Sequence, residues 1–360
     1  MVTRPTDQET TMPAIRIANR EIGRGNPVFV IAEAGNNHNG SIDVALRLID
    51  EAAAAGCDAV KFQKRSVRAL LSREAYDEPY DNRERSFGRT YGEHREFLEL
   101  TDDEFATLRD HAAQRDIVFM ASCWDEVSAD FLENLDVPVH KIGSPDLTNL
   151  PLCRRVASFG KPVLLSTGMA DESEVDAAVK TITAVNSQLV LLHCVSIYPT
   201  PPAEARLGRI ARLRERYRLP VGYSGHERGW HILTAAVALG ACVVEKHMTL
   251  DRTMVGSDHG FALEPADLAS MVGQIREVED ALAKSDKQLL KAELPYRRRL
   301  GKSVATTRPI ARGTILTADM LTCKSPATGL SPARIDSLIG AQAARDLDGD
   351  AIIQLDDVTF

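Results

Sequence analysis

Eight short apolar runs, each followed by a segment with helical periodicity, constrain the fold of this chain more than any other feature. Nearly continuous apolar strands that alternate with helices form parallel sheets whose faces those helices cover. Eight such units within about 250 residues match a TIM barrel, which is the fold we predict. The alternative, an open doubly wound sheet, lacks its glycine-rich dinucleotide fingerprint after the first strand. The predicted strands are Phe29–Ala34, Ala59–Gln63, Ile117–Ser122, Val139–Gly143, Val163–Thr167, Leu189–Val195, Val221–Ser224 and Cys242–His247.

The chain divides into four predicted segments. Residues 1–28 form a polar tail and a hairpin that turns at Gly23–Gly25, and residues 29–283 form the barrel. Residues 284–300 are polar and basic, which is typical of a linker. Short β-like runs broken by turn glycines predict a small, mostly β module over residues 301–360, of a size that is marginally stable alone.

Composition and charge exclude several classes of function. The chain has 360 residues, of which 44% are hydrophobic, the balance of a globular protein with a sizeable core. Its formal charge of −8 argues against nucleic-acid binding, because phosphate contacts need clustered lysines and arginines. The N-terminus is polar rather than signal-like, and no apolar run approaches the roughly 20 residues of a membrane span. The six cysteines are widely spaced, as free thiols in a reducing cytoplasm are. We expect a soluble, cytoplasmic protein without nucleic-acid or membrane partners.

Polar residues follow nearly every predicted strand, at the edge of the barrel where active sites form. Lys61 and Lys141 stand at two of these strand ends, and Ser144 and Ser166 supply hydroxyls at two more positions of the same edge. Two cations with nearby hydroxyls suit a small anion that carries two or three negative charges. The sequence therefore favours an anion-binding site at this edge.

Two other interpretations of the lysines stay open. They can neutralise local carboxylates, such as Asp58 and Asp146. Either lysine can also form a Schiff base with a carbonyl substrate, because both follow apolar strands where loss of solvent lowers the pKa of an amine.

A pair of histidines and one glutamate complete the candidate chemistry. His226 and His247 end the last two strands, which are neighbours in a barrel, so their imidazoles can hold a divalent metal with positions left open to water and substrate. Either histidine taken alone is more often a hydrogen-bonded core residue. Glu33 leaves an apolar strand with no cation beside it in sequence, which favours a general acid or base. Support of Lys61 is the alternative role for this carboxylate.

Short motifs near these strand ends, and two more in the C-terminal module, occur in one order along nearly the whole chain. The motifs are Ile31–Gly40, Val60–Lys64, Lys141–Ser144, Leu165–Met169, Gly222–Glu227, Glu245–His247, Gly256–His259, Leu300–Val304 and Gly313–Thr317. In them the chain resembles the sialic acid synthases, and its module resembles their antifreeze-like (SAF) domain. Two further stretches, Tyr91–His94 and Lys287–Leu290, are similar to the animal-type enzymes, which use a 6-phosphorylated sugar.

The resemblance implies a reaction and a set of site residues. Phosphoenolpyruvate would condense with N-acetylmannosamine or its 6-phosphate, giving N-acetylneuraminate or its 9-phosphate, in a domain-swapped homodimer. Glu33 would act as acid/base, and His226 and His247 would hold Mn²⁺, with Mg²⁺ and Co²⁺ as alternatives. Phosphoenolpyruvate would be bound by Lys61, Ser122, Lys141, Ser144, Ser166, Ser196 and Ser224, and the sugar by Gln63, Asp146, Tyr198, Asp258 and Lys324.

Two of these positions depart from the bacterial pattern. Ser196 stands where the bacterial enzymes have asparagine, as it does in the animal type. Lys324 stands in the region where their C-terminal domain offers an arginine to the N-acetyl group, and a lysine lacks the two-pronged geometry of a guanidinium.

Three alternatives to this function are carried forward. A related synthase would make another nine-carbon acid, of the legionaminic type or deaminated. A Schiff-base aldolase would use pyruvate without a metal. A sugar-binding relative without activity would keep the barrel and lose the site, but this chain retains both lysines, both histidines and Glu33.

Overall fold

The computed structural model describes residues 15–23, 25–80 and 86–360. The chain divides into two compact units, Met1–Lys284 and Ser285–Phe360. The predicted polar tail, residues 1–14, lies outside the described residues. No helix in the described part of the chain is long and apolar enough to cross a membrane. All six cysteines are free thiols, and Cys323 is the exposed one among them.

A short hairpin precedes the barrel. Its strands β1 (Ile15–Ile17) and β2 (Arg20–Ile22) pair in register, so the turn is made by Ala18 and Asn19, with a positive φ of 51° at Ala18. The predicted turn at Gly23–Gly25 is therefore wrong, although Arg24 in that stretch lies outside the described residues. The apolar faces of both strands have to point the same way, and a two-residue turn between strands of equal length achieves this.

Eight strands of the first unit form a closed barrel in which each strand is parallel to its neighbours and the last pairs with the first. The predicted barrel is confirmed. Its strands are β3 (Phe29–Gly35), β4 (Ala59–Lys64), β5 (Val118–Cys123), β6 (His140–Ile142), β7 (Val163–Ser166), β8 (Leu189–Cys194), β9 (Val221–Gly225) and β10 (Val243–His247).

Helices surround this barrel, and several begin where the sequence supplies a cap. Thr90, Thr101 and Asp171 each accept a bond from the backbone of a glutamate three residues on, whose side chain bonds back. The helices of the first unit are α1 (Ile42–Ala54), α2 (Val67–Leu70), α3 (Arg73–Asp77), α4 (Tyr91–Leu98), α5 (Asp102–Gln114), α6 (Glu126–Asn134), α7 (Leu150–Ser158), α8 (Glu172–Thr183), α9 (Gly208–Tyr217), α10 (His231–Ala238) and α11 (Pro265–Leu282).

The interior of the barrel changes character along each strand. Side chains two residues apart face the same side of a strand, so one apolar and one polar residue of the same strand both point inward. We call the end of the barrel at the N-terminal ends of its strands the lower end, and the end at their C-terminal ends the upper one. The lower interior is a separate apolar cluster, which the isoleucines of the hairpin close from below. The inward pairs are Ile31 and Glu33 on β3, Ala59 and Lys61 on β4, Met120 and Ser122 on β5, Leu164 and Ser166 on β7, and Val243 and Glu245 on β10.

The segment between β4 and α5 is the longest connection at the upper edge of the barrel. It contains the helices α2, α3 and α4. Residues 81–85 within it lie outside the described residues. Arg65 lies at the start of the segment and Glu99 at its end. The backbone N–H of Arg65 donates to Oε2 of Glu99 at 3.0 Å, and Nη1 of Arg65 donates to Oε1 at 3.1 Å. One residue pair therefore ties the two ends of the segment together.

The second unit has a small core of its own. Val304, Leu316, Leu338 and Ile353 are fully buried in it. The stretch predicted as a linker contains a helix at its end. The elements of the unit are α12 (Leu294–Leu300), β11 (Ser303–Thr306), β12 (Leu321–Lys324), α13 (Ile335–Leu338), β13 (Gln342–Ala343) and β14 (Val358–Thr359), with β11 antiparallel to β12 and β13 to β14.

We expect Gly222→Ala to destabilise the barrel. A Cβ at this position of β9 would overlap the carbonyl oxygen of Val243 and lie 2.6 Å from Cδ2 of Leu192. Overpacking between fixed strands should cost about 1–3 kcal/mol. Gly273→Ala is the control, because a Cβ there meets nothing within 4 Å and alanine in a helix should stabilise by about 0.5–1 kcal/mol. Urea titration gives the free energies of unfolding, and a change of the same sign in both variants would contradict this packing.

Candidate active site

Four buried charges occupy the upper interior of the barrel. Nζ of Lys61 lies 2.7 Å from Oε2 of Glu33 and 3.7 Å from Oε1 of Glu245, and Nζ of Lys141 lies 3.8 Å from Oε2 of Glu245. All four side chains are at most 6% exposed. Two ammonium groups and two carboxylates balance one another here, so the cluster can be buried without a net charge.

Burial and neighbouring charges move the pKa values of this cluster in different directions. Burial raises the pKa of Glu33 above its ordinary value, in spite of the attraction of Lys61. Burial opposes the charge of Glu245, but the two lysines outweigh it and lower its pKa to about 2. The pKa of Lys61 is raised by both carboxylates against the effect of burial, whereas that of Lys141 is lowered by burial. Glu33 is therefore the carboxylate of this cluster that takes up a proton most readily.

The amide of Gln63 has a defined orientation next to Glu33. Its Oε1 accepts a hydrogen bond from Nη2 of Arg65, so its Nε2 donates to Oε1 of Glu33 at 2.7 Å. Arg65 is itself held by Asn36 Oδ1 at 3.0 Å and by the ring of Trp124, 4.2 Å from the guanidinium carbon. This buried arginine positions Gln63 and, through it, the carboxylate of Glu33.

Serine hydroxyls surround the charged cluster. Ser122 accepts from Lys61 at 2.9 Å, and Ser224 donates to Glu245 at 3.1 Å. Ser144 accepts from the backbone N–H of Gly168 at 3.1 Å, and the hydroxyl of Ser196 also lies at Gly168, where a Cβ would overlap it. The hydroxyl of Ser166 is buried without a hydrogen-bond partner in the described part of the chain. The predicted phosphoenolpyruvate-binding residues thus lie together, and the Ser166 hydroxyl among them keeps an unused hydrogen-bond donor.

Two imidazoles lie beside this cluster. The rings of His226 and His247 have their centroids 5.3 Å apart, and Phe261 packs against both. Nδ1–H of His226 donates to the carbonyl of Val195 at 3.0 Å, which leaves the lone pair of Nε2 free. Nδ1 of His247 is buried without a hydrogen-bond partner among the described residues, and 3.8 Å separates it from Oδ2 of Asp258.

These histidines fit a metal ion that takes two protein nitrogens. Burial, together with nearby positive charges, lowers the pKa of His247 to about 3, so its imidazole is neutral, as a metal ligand must be. The pKa of His226 is raised instead: burial opposes the charge, and Cys194 at 3.9 Å and the Val195 carbonyl favour it. No group of three or more His, Cys, Asp or Glu side chains in the described residues could hold a metal. Water and substrate would have to complete the coordination.

The predicted sugar-binding residues fall into two sets. Gln63, Tyr198 and Asp258 surround the charged cluster and the histidines, with the Tyr198 ring 4.3 Å from that of His226. Asp146 is buried behind Ser144 and accepts from Asn149 at 3.3 Å. Lys324 belongs to the second unit, where it is partly exposed and ion-paired with Asp350.

Comparison with known proteins now identifies the family. A model described as the NeuB family matches residues 48–287, and a SAF domain model matches residues 301–359. The chain belongs to the NeuB family of sialic acid synthases. The small C-terminal domain predicted from the sequence is confirmed as a SAF domain.

Individual relatives cover nearly the whole chain. It is 40% identical to N-acetylneuraminate-9-phosphate synthase of Mus musculus over 94% of this chain and 95% of that protein. It is 37% identical to N,N'-diacetyllegionaminic acid synthase of Campylobacter jejuni, over 91% of this chain and 98% of that protein. The crystal structure of N-acetylneuraminic acid synthetase from Leptospira borgpetersenii, in complex with citrate, has a TM-score of 0.69 at 35% identity and covers 79% of this chain and 96% of that one. The relatives are named for different products, so membership of the NeuB family does not define which sugar acid is made.

Two residues of this NeuB site were not assigned by sequence reasoning. Glu245 touches both lysines, and its position two residues before His247 on one strand was a signal that both face inward. Arg65 follows the end of its strand, and nothing in the pattern indicated that it turns back to Gln63. The suggestion that Asp58 and Asp146 neutralise the lysines is wrong: Asp58 pairs with Arg20 and Arg276 below the barrel.

We expect Glu245→Gln to destabilise this NeuB protein by about 3–5 kcal/mol, because it leaves two buried ammonium groups without a shared carboxylate. The loss should shrink from about pH 6 to about pH 9, since an unpaired buried amine sheds its proton as the pH rises. Glu204→Gln, which removes an exposed partner of Arg206, should change stability by less than about 1 kcal/mol. Urea titrations at several pH values measure both, and equal losses would contradict the burial of charge at Glu245.

A second prediction concerns Asp146, whose pKa burial raises to about 6. Between about pH 4 and pH 6 the folded protein then binds more protons than the unfolded chain, so its stability falls as the pH rises, by up to about 3 kcal/mol. Asp146→Asn removes this dependence. The stability of the variant relative to the wild type should increase from about pH 4 to about pH 7, and a difference that stays constant would show an ordinary pKa for Asp146.

Proposed function

We propose that this chain condenses phosphoenolpyruvate with an N-acetylmannosamine-type sugar, as a carbon–carbon bond-forming transferase. The products would be N-acetylneuraminate or its 9-phosphate, and inorganic phosphate. The observation that carries the proposal is the buried cluster of Lys61, Lys141, Glu33 and Glu245, ringed by serine hydroxyls and adjoining two histidines. Membership of the NeuB family supports the same reaction.

Phosphoenolpyruvate would bind where the cluster has donors to spare. Its carboxylate and phosphate bring two to three negative charges, which the balanced cluster can accept only if it gains positive charge. Protonation of Glu33 supplies this, because its pKa is already raised by burial and its carboxylate is the partner of Lys61. The hydroxyls of Ser166 and Ser196, which have no hydrogen-bond partner in the described part of the chain, would contribute neutral donors.

The proton that Glu33 takes up is the one the reaction needs. C3 of the enol would attack the aldehyde carbon of the open-chain sugar, and Glu33 would give its proton to the aldehyde oxygen as this becomes a hydroxyl. Water would add at C2 and return a proton to Glu33. The tetrahedral intermediate would then lose phosphate by cleavage of its C–O bond, and the C2 hydroxyl would become the keto group as its proton leaves with the phosphate. Gln63 holds the carboxylate in place through its 2.7 Å hydrogen bond.

His226 and His247 would hold a divalent ion, for which we propose Mn²⁺, with Mg²⁺ and Co²⁺ as alternatives. A bound ion would polarise the aldehyde carbonyl of the sugar. The hydrogen bond from His226 to the Val195 carbonyl keeps that ring in the tautomer with a free Nε2. Gln63, Asp146, Tyr198 and Asp258 are proposed to meet the sugar, and Lys324 its N-acetyl group. The domain-swapped homodimer and the cytoplasmic location stay predictions.

A second candidate function is the synthesis of another nonulosonic acid. The relative from Campylobacter jejuni is named for a legionaminic acid, at nearly the same identity as the mouse protein. The reaction at the barrel mouth would be unchanged in that case, and the difference would lie in the sugar.

The experiment is phosphoenolpyruvate-dependent release of phosphate, with Mn²⁺ and then with EDTA, from N-acetylmannosamine, its 6-phosphate and mannose 6-phosphate. We expect release with an N-acetylated sugar and its loss on chelation. If folded, metal-supplied protein releases no phosphate with any of the three sugars, N-acetylmannosamine-type substrates are rejected. Pyruvate-dependent trapping by borohydride would indicate instead a Schiff-base aldolase, for which Lys141 is the candidate because burial lowers its pKa.

His247→Ala tests the assignment of the metal. Turnover should fall at least about 100-fold, because polarisation of the carbonyl contributes several kcal/mol, and the bound Mn²⁺ measured after dialysis should fall with it. His111→Ala is the control, since this histidine lies near the surface against Asp50. Full, EDTA-sensitive turnover in His247→Ala would disprove the metal role of that residue.

A further inference from the structure

Arg95 lies on α4, in the segment that connects β4 to α5 along the open edge of the barrel. Close packing at two glycines fixes this helix. A Cβ on Gly92 would overlap the ring of Tyr76, and a Cβ on Gly40 would overlap the carbonyl oxygen of Phe97. Because Gly40 belongs to the turn that follows β3, the helix holds Arg95 beside the residues that border the barrel mouth.

The guanidinium of Arg95 is partly buried but has no carboxylate within 4.0 Å in the described part of the chain. Its Nη2 donates to the hydroxyl of Tyr91 at 2.8 Å, and its carbon lies 4.9 Å from the centre of that ring. By contrast, Arg65 and Arg68 in the same segment are each ion-paired to a glutamate at 3.1 Å. A guanidinium has five N–H donors, so Arg95 keeps donors for a further partner.

The helix that carries Arg95 contacts both sides of the candidate sugar site. On one side, Phe97 packs on Gly40, and the neighbouring Asn39 donates to the carbonyl of Val255 at 2.9 Å, in the loop that leads to Asp258. On the other side, Glu99, which directly follows α4, is bonded to Arg65 at 3.1 Å, and Arg65 bonds to Gln63. Helix α4 therefore lies between the parts of the chain that carry Gln63 and Asp258.

We propose that Arg95 forms a subsite for a phosphate group on the substrate sugar, at the end of the sugar away from its aldehyde. The two histidines mark the aldehyde end, and Asp258 lies 3.8 Å from His247. The helix that carries Arg95 packs on the turn at Gly40, which is bonded to the loop that leads to Asp258. Arginine suits phosphate because its paired N–H groups match two phosphate oxygens. This inference rests on the proposed function and selects the phosphorylated sugar.

Charge balance supports the phosphate. A phosphate ester brings close to two negative charges into a region that already contains Asp258, and this is unfavourable unless a cation compensates. Arg95 is positioned to do so. A neutral sugar, on the other hand, would offer only hydroxyl acceptors, which compensate the charge of a partly buried guanidinium less well than phosphate oxygens do.

The test compares kcat/KM of the full-length protein for N-acetylmannosamine and its 6-phosphate, with phosphoenolpyruvate saturating. The wild type should favour the 6-phosphate by at least about 30-fold, and Arg95→Met should lower that ratio about 30-fold, the order expected for a pair of charge-assisted hydrogen bonds. Arg95→Lys should give an intermediate ratio, because it keeps the charge and loses the paired donors. Arg68→Met removes an exposed arginine of the same segment and should leave the ratio as it is.

Titration calorimetry with mannose 6-phosphate, without phosphoenolpyruvate, separates this inference from the proposed reaction. Binding should be about 30-fold weaker in Arg95→Met than in the wild type, with the melting temperature checked for both. If this difference is found but no sugar supports turnover, the subsite stands and the proposed reaction fails. If turnover is found while Arg95→Met and Arg95→Lys change neither the ratio nor the binding, or if the wild type prefers the unphosphorylated sugar, the subsite is wrong.

Discussion

The balance of two ammonium groups against two carboxylates in the upper barrel is the interaction on which the rest of the site depends. Each charge is too deeply buried to be stable alone, so each is retained by the others, and Glu245 connects both lysines. This arrangement makes the site ready for an anion without leaving it positively charged beforehand. In the proposed reaction, a bound trianion would become the partner of the lysines, and the displaced carboxylate of Glu33 would carry the proton that the aldehyde oxygen needs.

The same strands provide both the core and the chemistry. Their lower inward residues, such as Ile31 and Val243, pack with the isoleucines of the hairpin, and the residues two positions later, Glu33 and Glu245, line the site. The apolar layer below keeps water away from the cluster and fixes the strand positions. Small shifts of a strand would change distances such as the 2.7 Å between Glu33 and Lys61, so the packing of the hydrophobic layer determines the geometry of the charged one.

The sequence predicted the barrel because strand and helix periodicities are local properties, and eight alternations leave few other folds. Residues at strand ends, such as His226 and His247, were predicted for the same reason, since parallel strands bring their ends to one edge. The arrangement of Arg65 and Gln63 was not predictable, because it depends on how a long segment folds back over the barrel. The hairpin turn was predicted at Gly23–Gly25, because glycine favours turns. The actual turn has a positive φ at Ala18, because the pairing of the apolar faces of the two strands outweighs the local preference for glycine.

The segment between β4 and α5 is attached to the barrel in an unusual way for its length. Arg65 bonds to Glu99, so the two ends of the segment lie next to each other. The outer part of the segment, away from this pair and from the contact of Phe97 with Gly40, can be lengthened, shortened or exchanged with little disturbance to the strands beneath. Differences among NeuB relatives that are named for different sugar acids can therefore be concentrated in this outer part, while the strands that carry the charged cluster stay the same.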